Sequence, residues 1–346
     1  MPMGVSIIVG GQYGSEGKGK VAQHFARSRA ARAVVRVGGT NSGHTSLGGE
    51  GEREVLRQLP TSALDPDVLC VLAAGSYIDV EILTAEIERL ALPVKRLVID
   101  PGAMIITPAD RAAEQTSDLK QRIGSTASGT GEAVARRTRR LSDGDLAGAQ
   151  PALAPYLAPV RPLLREMLAD GEHIVIEGTQ GFGLSLLHSP HFPKATSRDT
   201  SAAAALAETG LSPLDVQDVV LVLRSFPIRV AGDSGPFGAP EITWGQIALE
   251  AGHDGELAEV TSVTKKLRRV ARFDPVIVRE AIVANNPSVI VLNHIDHVDA
   301  AASGGLTARA SEFLTDVEAR IGRRVDLIGL GPDTLVAAHD RGALPA

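Results

Sequence analysis

A mainly parallel α/β sheet with helices on both faces is the fold this sequence predicts, and three observations carry it. Short apolar runs rich in β-branched residues recur along the chain, each bounded by Gly, Pro or charge. Helical spacing fills several of the intervals between them, the alternation that builds parallel sheets. The glycine-rich stretches fall directly after those runs, where an open parallel sheet binds its ligands.

The elements follow in order. Val5–Val9 is wholly apolar and reads as a buried strand, and Gly10–Lys20 after it as a phosphate loop. Val21–Ala26 has helical spacing. Ala33–Val37 and Val68–Ala73 are further strands, the second holding Cys70 as a buried residue. Asp79–Leu90 is helical, Arg96–Ile99 a strand, and Ala154–Ala169 a helix. His173–Ile176, Val219–Leu223 and Val289–Leu292 are strands; Ser201–Glu208 and Pro275–Ala284 are helices. Gln121–Arg140 is polar, Gly/Ser/Thr-rich and then basic, which reads as a functional loop. Asp233–Pro240 and His253–Arg272 are further loops. No linker or repeat interrupts the pattern, so residues 1–346 are expected to form one domain with inserted loops.

Composition narrows the class. The chain has 346 residues, 44% hydrophobic and 22% charged, as expected of a globular protein. A net charge of −6 argues against non-specific nucleic-acid binding. One cysteine permits no intrachain disulfide or cysteine metal site. No apolar run reaches the roughly 18 residues of a membrane span, and the start lacks a signal pattern. A cytoplasmic location is expected.

Strand, glycine loop and helix together bind phosphate, because backbone amides and the helix N-terminus converge on the anion. Lys18 and Lys20 add full charges. The spacing is not a Walker A loop, since Gln12 and Gly19 stand where Gly and Ser/Thr are needed. Gly10-Gly11-Gln12-Tyr13-Gly14-Ser15-Glu16-Gly17-Lys18-Gly19-Lys20 instead resembles the G-x-x-W-G-D-E-G-K-G-K signature of the adenylosuccinate synthetase family. Val37-Gly38-Gly39-Thr40-Asn41-Ser42-Gly43-His44-Thr45 is similar to that family's G-G-x-N-A-G-H-T. The resemblance implies a P-loop-like, GTPase-related fold. It also implies a ligase that joins L-aspartate to a 6-oxopurine nucleotide. The purine O6 attacks the γ-phosphate of a nucleoside triphosphate, and the aspartate amine then displaces phosphate at C6.

The same resemblance assigns residues. Gly14, Glu16, Gly17, Lys18, Gly19, Lys20, Gly43, His44 and Thr45 would hold the triphosphate, with His44 as general acid and Lys18 stabilising the transferred phosphoryl group. Mg²⁺ would be held at Ser15 and Gly43. Ile123-Gly124-Ser125-Thr126 resembles I-G-T-T and puts Ser125 and Thr126 on the substrate's 5′-phosphate, with Thr196 of Phe192–Ser197 as another phosphate contact. Asn41, Gln180 of Glu177-Gly178-Thr179-Gln180-Gly181, and Lys266 would also bind the nucleotide substrate. Val134-Ala135-Arg136-Arg137 resembles V-A-R-R, whose first arginine reaches into a partner subunit, so a homodimer shared through Arg136 is expected. Ser262, Val263, Thr264, Lys266, Arg268 and Arg269 occupy the place of the aspartate-binding loop, and Arg268 would also contact the triphosphate. Asn293, His294 and Asp296 stand where the family reads guanine with L-T-K-L-D, and Gly329, Gly331 and Pro332 match S-T-G-P-D. His294 replaces a lysine and Gly329 a serine, which opens the triphosphate to ATP or dATP as well as GTP.

Ser15 is the decisive departure. The family's aspartate there binds Mg²⁺ and takes the N1 proton of IMP. A serine hydroxyl is no base at neutral pH, but it leaves room for a 2-amino group. A phage branch of the family carries this replacement, acts on dGMP and makes the precursor of 2-aminoadenine. The expected reaction is therefore dGMP, L-aspartate and a nucleoside triphosphate giving N6-succino-2-amino-2′-deoxyadenylate. Ordinary synthesis from IMP is the alternative. A P-loop regulatory NTPase would explain Gly14–Lys20 and Asn293–Asp296, but not Asn41–Thr45 or Gln180–Gly181.

Overall fold

The computed structural model describes residues 4–48, 51–140, 142, 144–255, 257–261 and 266–339. A nine-stranded sheet runs through it. In chain order its strands are β1 (Val5–Gly10), β2 (Ala33–Arg36), β3 (Leu69–Leu72), β4 (Leu97–Ile99), β5 (Ile174–Glu177), β6 (Val216–Arg224), β7 (Val289–Asn293), β8 (Leu327–Gly329) and β9 (Leu335–Ala337). Their order across the sheet is β9-β8-β7-β6-β1-β5-β2-β3-β4. All neighbours are parallel except β8 and β9. The sheet-forming runs read from the sequence are thus all present, within a few residues of their expected ends; β8 and β9 are additional.

Alternation along β1 fixes both faces. Val5, Ile7 and Val9 pack with Leu164, Ile277 and Leu314, from helices Val160–Ala169, Pro275–Asn285 and Ala308–Ile321. Ile8 points the other way, onto Val21, Ala22 and Phe25 of helix α1 (Lys18–Ser28). A strand buried on both faces needs apolar residues throughout, and β1 is buried at every position. Each large apolar side chain withdrawn from water contributes about 1.5–3 kcal/mol, so Phe25 alone anchors α1 firmly.

Three expectations are corrected. The helix read as Ala154–Ala169 begins at Val160; Pro151–Tyr156 is a 3₁₀ turn with Pro155 inside it, because proline cannot continue an α-helix. Half of the Gln121–Arg140 loop is helix Thr130–Arg139, buried at Thr130 and Ala133, and Leu119–Ile123 ends inside it. His253–Arg272 contains a short strand, Arg269–Ala271. Asp233–Pro240 is irregular, as expected.

The parallel arrangement puts the ends of β1, β2, β5, β6, β7 and β8 along one edge. Gly14–Lys20, Asn41–His44, Glu177–Gln180, Arg224–Arg229, Asn293–Asp296 and Gly329–Pro332 therefore gather there. Among the described residues no helix is long and apolar enough to cross a membrane.

Candidate active site

The loop after β1 turns sharply. Gly14 (φ 92°), Ser15 (φ 57°) and Gly17 (φ 89°) all take left-handed backbone angles, which glycine adopts freely and other residues at a cost. Glu16 braces the loop from inside. It is fully buried, and its carboxylate accepts from the amides of Gln12 (3.2 Å) and Gly14 (2.8 Å) and from Lys18 Nζ (2.7 Å). The Glu16 side chain thus faces away from any ligand, and only its backbone is available to a nucleotide. Gly17 caps α1 without a side-chain hydrogen bond, and the first turn carries no acid. The helix N-terminus is left as an anion site.

Gly19 is required by a close approach. A Cβ there would meet Thr61 Cγ2 at 2.7 Å and His44 Cβ at 2.9 Å. The hairpin His44–Leu47/Arg53–Leu56 crosses over the first turn of α1. A Walker serine or threonine has no room.

A cleft of about 430 Å³ opens over this loop. Gly14, Ser15, Lys18, Asn41, Gly43, His44, Ser125, Thr126, Gln180, Thr196, Lys266 and Arg268 all line it. Ser15 is exposed on its wall. Gln180 is held at φ 60°, a strained angle of the kind that collects at ligand sites. Lys18, Lys266, Arg229 and Arg268 make the cleft cationic, suited to phosphates and a dicarboxylate.

Other expected residues lie elsewhere. Lys20 does not reach the phosphate loop: it sits two residues beyond Lys18, on another face of α1. Its Nζ donates to the carbonyl of Gly331 (2.8 Å), beside a second cavity of about 400 Å³ that Asp333 and Leu335 also line. Burial lowers its ammonium to about 8, against the pull of Asp296 and Asp333. A Cβ at Gly329 would stand 2.0 Å from Asn293 Oδ1 and 2.5 Å from Lys20 Nζ, so these two occupy the serine's place. Asn293 Nδ2 donates to the carbonyl of Glu16 (2.7 Å) and ties β7 to the loop. Arg269, which opens the strand Arg269–Ala271, lies outside the cleft lining and pairs with Glu241. Arg136 pairs with Asp110 (2.7 Å) and Asp145, outside the cleft lining. Thr45 is exposed and is also outside that lining. Ser262, Val263 and Thr264 lie outside the described residues.

Buried charges that the sequence reading missed support the visible site. Arg224 is fully buried, donates to the carbonyl of Ser15 (3.0 Å), and pairs with Glu259. Gln12 clamps the loop to β6 through the Arg224 amide (2.9 Å) and carbonyl (3.1 Å). Glu177 ends β5 opposite Arg36 of β2 in register, and the two pair. Glu177 also meets His44 Nδ1 at 2.5 Å. Burial, then Arg36, lowers the His44 imidazole to about 4, against the pull of Glu177. Burial would raise the Glu177 carboxyl, but Arg36 and the His44 hydrogen bond hold it at about 2.

The expected Mg²⁺ donors, the Ser15 hydroxyl and the Gly43 backbone, are both uncharged and both line the cleft, while the Glu16 carboxylate is engaged within the loop. That set fits Mg²⁺ only beside phosphate oxygens, the usual way it binds nucleotides. Glu259, His294 and His297 also approach within 4.8 Å of one another. Arg224 (3.2 Å) and Arg268 (3.5 Å) already pair with Glu259, and burial, then Arg224, pushes the His294 imidazole well down. Two guanidiniums there oppose a metal cation.

An open parallel sheet whose strand ends combine an uncapped helix N-terminus, a buried lysine and a cationic cleft defines a phosphate-handling α/β enzyme. The family model for adenylosuccinate synthetase matches residues 7–144 and 143–303. The adenylosuccinate synthetase of Thermococcus onnurineus is 34% identical over 94% of this chain and 96% of its own length. That of Methanococcus aeolicus is 33% identical over 96% and 98%. Among solved structures, the succinoaminodeoxyadenylate synthetase of cyanophage S-2L, bound to dGMP and dATP, superposes with a TM-score of 0.83. It is 29% identical and covers 98% of this chain and 96% of its own. The Plasmodium falciparum adenylosuccinate synthetase shares the fold at 21% identity and a TM-score of 0.81. This chain belongs to the adenylosuccinate synthetase family, whose members are ligases forming a C–N bond.

Proposed function

We propose that this ligase takes dGMP, L-aspartate and ATP or dATP, and makes N6-succino-2-amino-2′-deoxyadenylate. The observation that carries the reading is Ser15, exposed on the cleft wall where the family's loop has an aspartate. A hydroxyl admits the 2-amino group that a carboxylate would crowd. The cyanophage protein, bound to dGMP and dATP, supports the same reading. The archaeal relatives, named as adenylosuccinate synthetases, favour IMP as the second reading.

The purine O6 attacks the γ-phosphorus and the nucleoside diphosphate leaves. The aspartate amine then adds at C6 and phosphate departs with the oxygen. Lys18 and the start of α1 stabilise charge on the transferred group. Ser15 and Gly43 would hold Mg²⁺, which would supply charge neutralisation at the phosphates. Lys266 and Arg268 receive the aspartate carboxylates. His294 and the space filled by Lys20 beside Gly329 remove two guanine-reading groups, which favours adenine.

The test is kcat/KM for dGMP and IMP, each with ATP, dATP and GTP, in the wild type and in Ser15→Asp. The wild type should prefer dGMP, and Ser15→Asp should lose roughly 5- to 150-fold on it, the range for one matched polar contact of about 1–3 kcal/mol. A wild type that uses IMP and ignores dGMP sinks the assignment.

A homodimer sharing Arg136 belongs to this reading, and its Asp110 and Asp145 pairs would open on assembly. Mixing Arg136→Ala with Lys18→Ala subunits should restore part of the activity through hybrid dimers. Subunits that exchange without recovery count against sharing.

A further inference from the structure

We propose that Glu177 is a positioning residue for His44, holding the imidazole in the tautomer and orientation that leave Nε2 for the phosphates. The inference rests on the reading that His44 serves phosphoryl transfer.

Glu177 has little freedom. It is 0% exposed. Its Oε2 accepts from both the amide and the hydroxyl of Thr61, each at 2.8 Å. Oε1 then faces His44 Nδ1 at 2.5 Å. An ionised carboxylate only accepts hydrogen bonds, so the bond to Glu177 calls for the proton on Nδ1. Nε2 is left as the ring nitrogen available where His44 lines the cleft. A carboxylate behind the far nitrogen is the usual means of fixing which nitrogen acts.

Arg36 keeps the carboxylate charged. A lone buried carboxylate would neutralise itself, and Arg36 is its partner from the adjacent strand. Arg36 Nη1 also touches His44 Nδ1, and both face the same Oε1; the guanidinium only donates, so it competes with Glu177 for Nδ1 and the two tautomers differ in which of them wins. Arg36 Nη2 reaches the carbonyl of Ser42 (3.3 Å), which steers the loop carrying His44. The charged groups acting on His44 are Lys18 from α1, Arg36 from β2 and Glu177 from β5. Glu177 itself does not line the cleft.

The decisive measurement is ring-nitrogen NMR on the unmodified full chain with ¹⁵N-histidine, assigned by the loss of one signal set in His44→Ala. Nδ1 should carry a proton at neutral pH, with Nε2 bare in the free enzyme and protonated beside bound phosphate, as a general acid requires; a bare Nδ1 overturns the proposal. Glu177→Gln adds a kinetic arm. It should lower kcat by about 10–100-fold, the range for losing an orienting partner, while KM for nucleotide and aspartate stays within about threefold. A folded Glu177→Gln with unchanged kcat, or with only KM raised, also overturns it. If this variant fails to fold, the wild-type spectrum still decides. The underlying reading fails separately, through a His44→Ala enzyme that keeps its turnover, whichever nucleotide is the substrate.

Discussion

Both ends of the central sheet bring an arginine, a carboxylate and a histidine together, and of these two groups one adjoins the cleft. At the amino ends, Arg29 pairs with Asp218 (3.0 Å), Ser6 donates to Asp218 (3.0 Å), and the Ser6 hydroxyl meets His173 Nε2 (3.0 Å). At the carboxyl ends, Arg36, Glu177, Thr61 and His44 make the corresponding set. The strand β5 links the two, since His173 precedes it and Glu177 closes it. Burial lowers both imidazoles, and in each case an arginine adds to the effect. Their surroundings differ. His173 is 1% exposed and lies outside the cleft lining, whereas His44 lines it. Like parts therefore differ in whether the imidazole lines a ligand space.

The largest expected effect tests that division directly. His44→Ala should cut kcat by about 10²–10⁴-fold, the range for a general acid, with its thermal midpoint close to wild type. Near-normal turnover would end the functional side of the comparison. A smaller effect of the opposite kind should follow at the other end. Ser6→Ala removes the hydroxyl that His173 meets and that donates to Asp218, which keeps Arg29, and costs about 1–3 kcal/mol of stability. Its kcat should stay within about twofold of wild type, and denaturant melts with steady-state kinetics read both. A Ser6→Ala enzyme that is fully stable but slow would break the comparison from the other side.

What the sequence discloses follows locality. Gly10–Lys20 and Asn41–Thr45 are contiguous, so the loop, its lysine and His44 are legible as a string. The strand runs are equally legible, because a doubly buried strand must be apolar along its length. Arg36, Glu177 and Arg224 were missed because their meaning lies in sheet order. Arg36 and Glu177 are 141 residues apart and meet only because β2 lies beside β5. A signal was nonetheless present: β2, β5, β6 and β7 each end an apolar run in a polar side chain, Arg36, Glu177, Arg224 and Asn293. The directions of Lys20 and Arg269 were illegible for a simpler reason, that motif letters do not say which way a side chain points.

The crossing of the His44 hairpin over α1 also constrains how this loop could change over time. In P-loop NTPases the residue after the lysine supplies a hydroxyl to Mg²⁺. Here Gly19→Ser would drive its Cβ into His44 and Thr61, at 2.9 Å and 2.7 Å. No single substitution at that position can therefore recover the hydroxyl without displacing the histidine strand. The two phosphate-loop designs are separated by a barrier of at least two coordinated changes, and a lineage carrying this hairpin stays committed to finding its metal oxygen elsewhere.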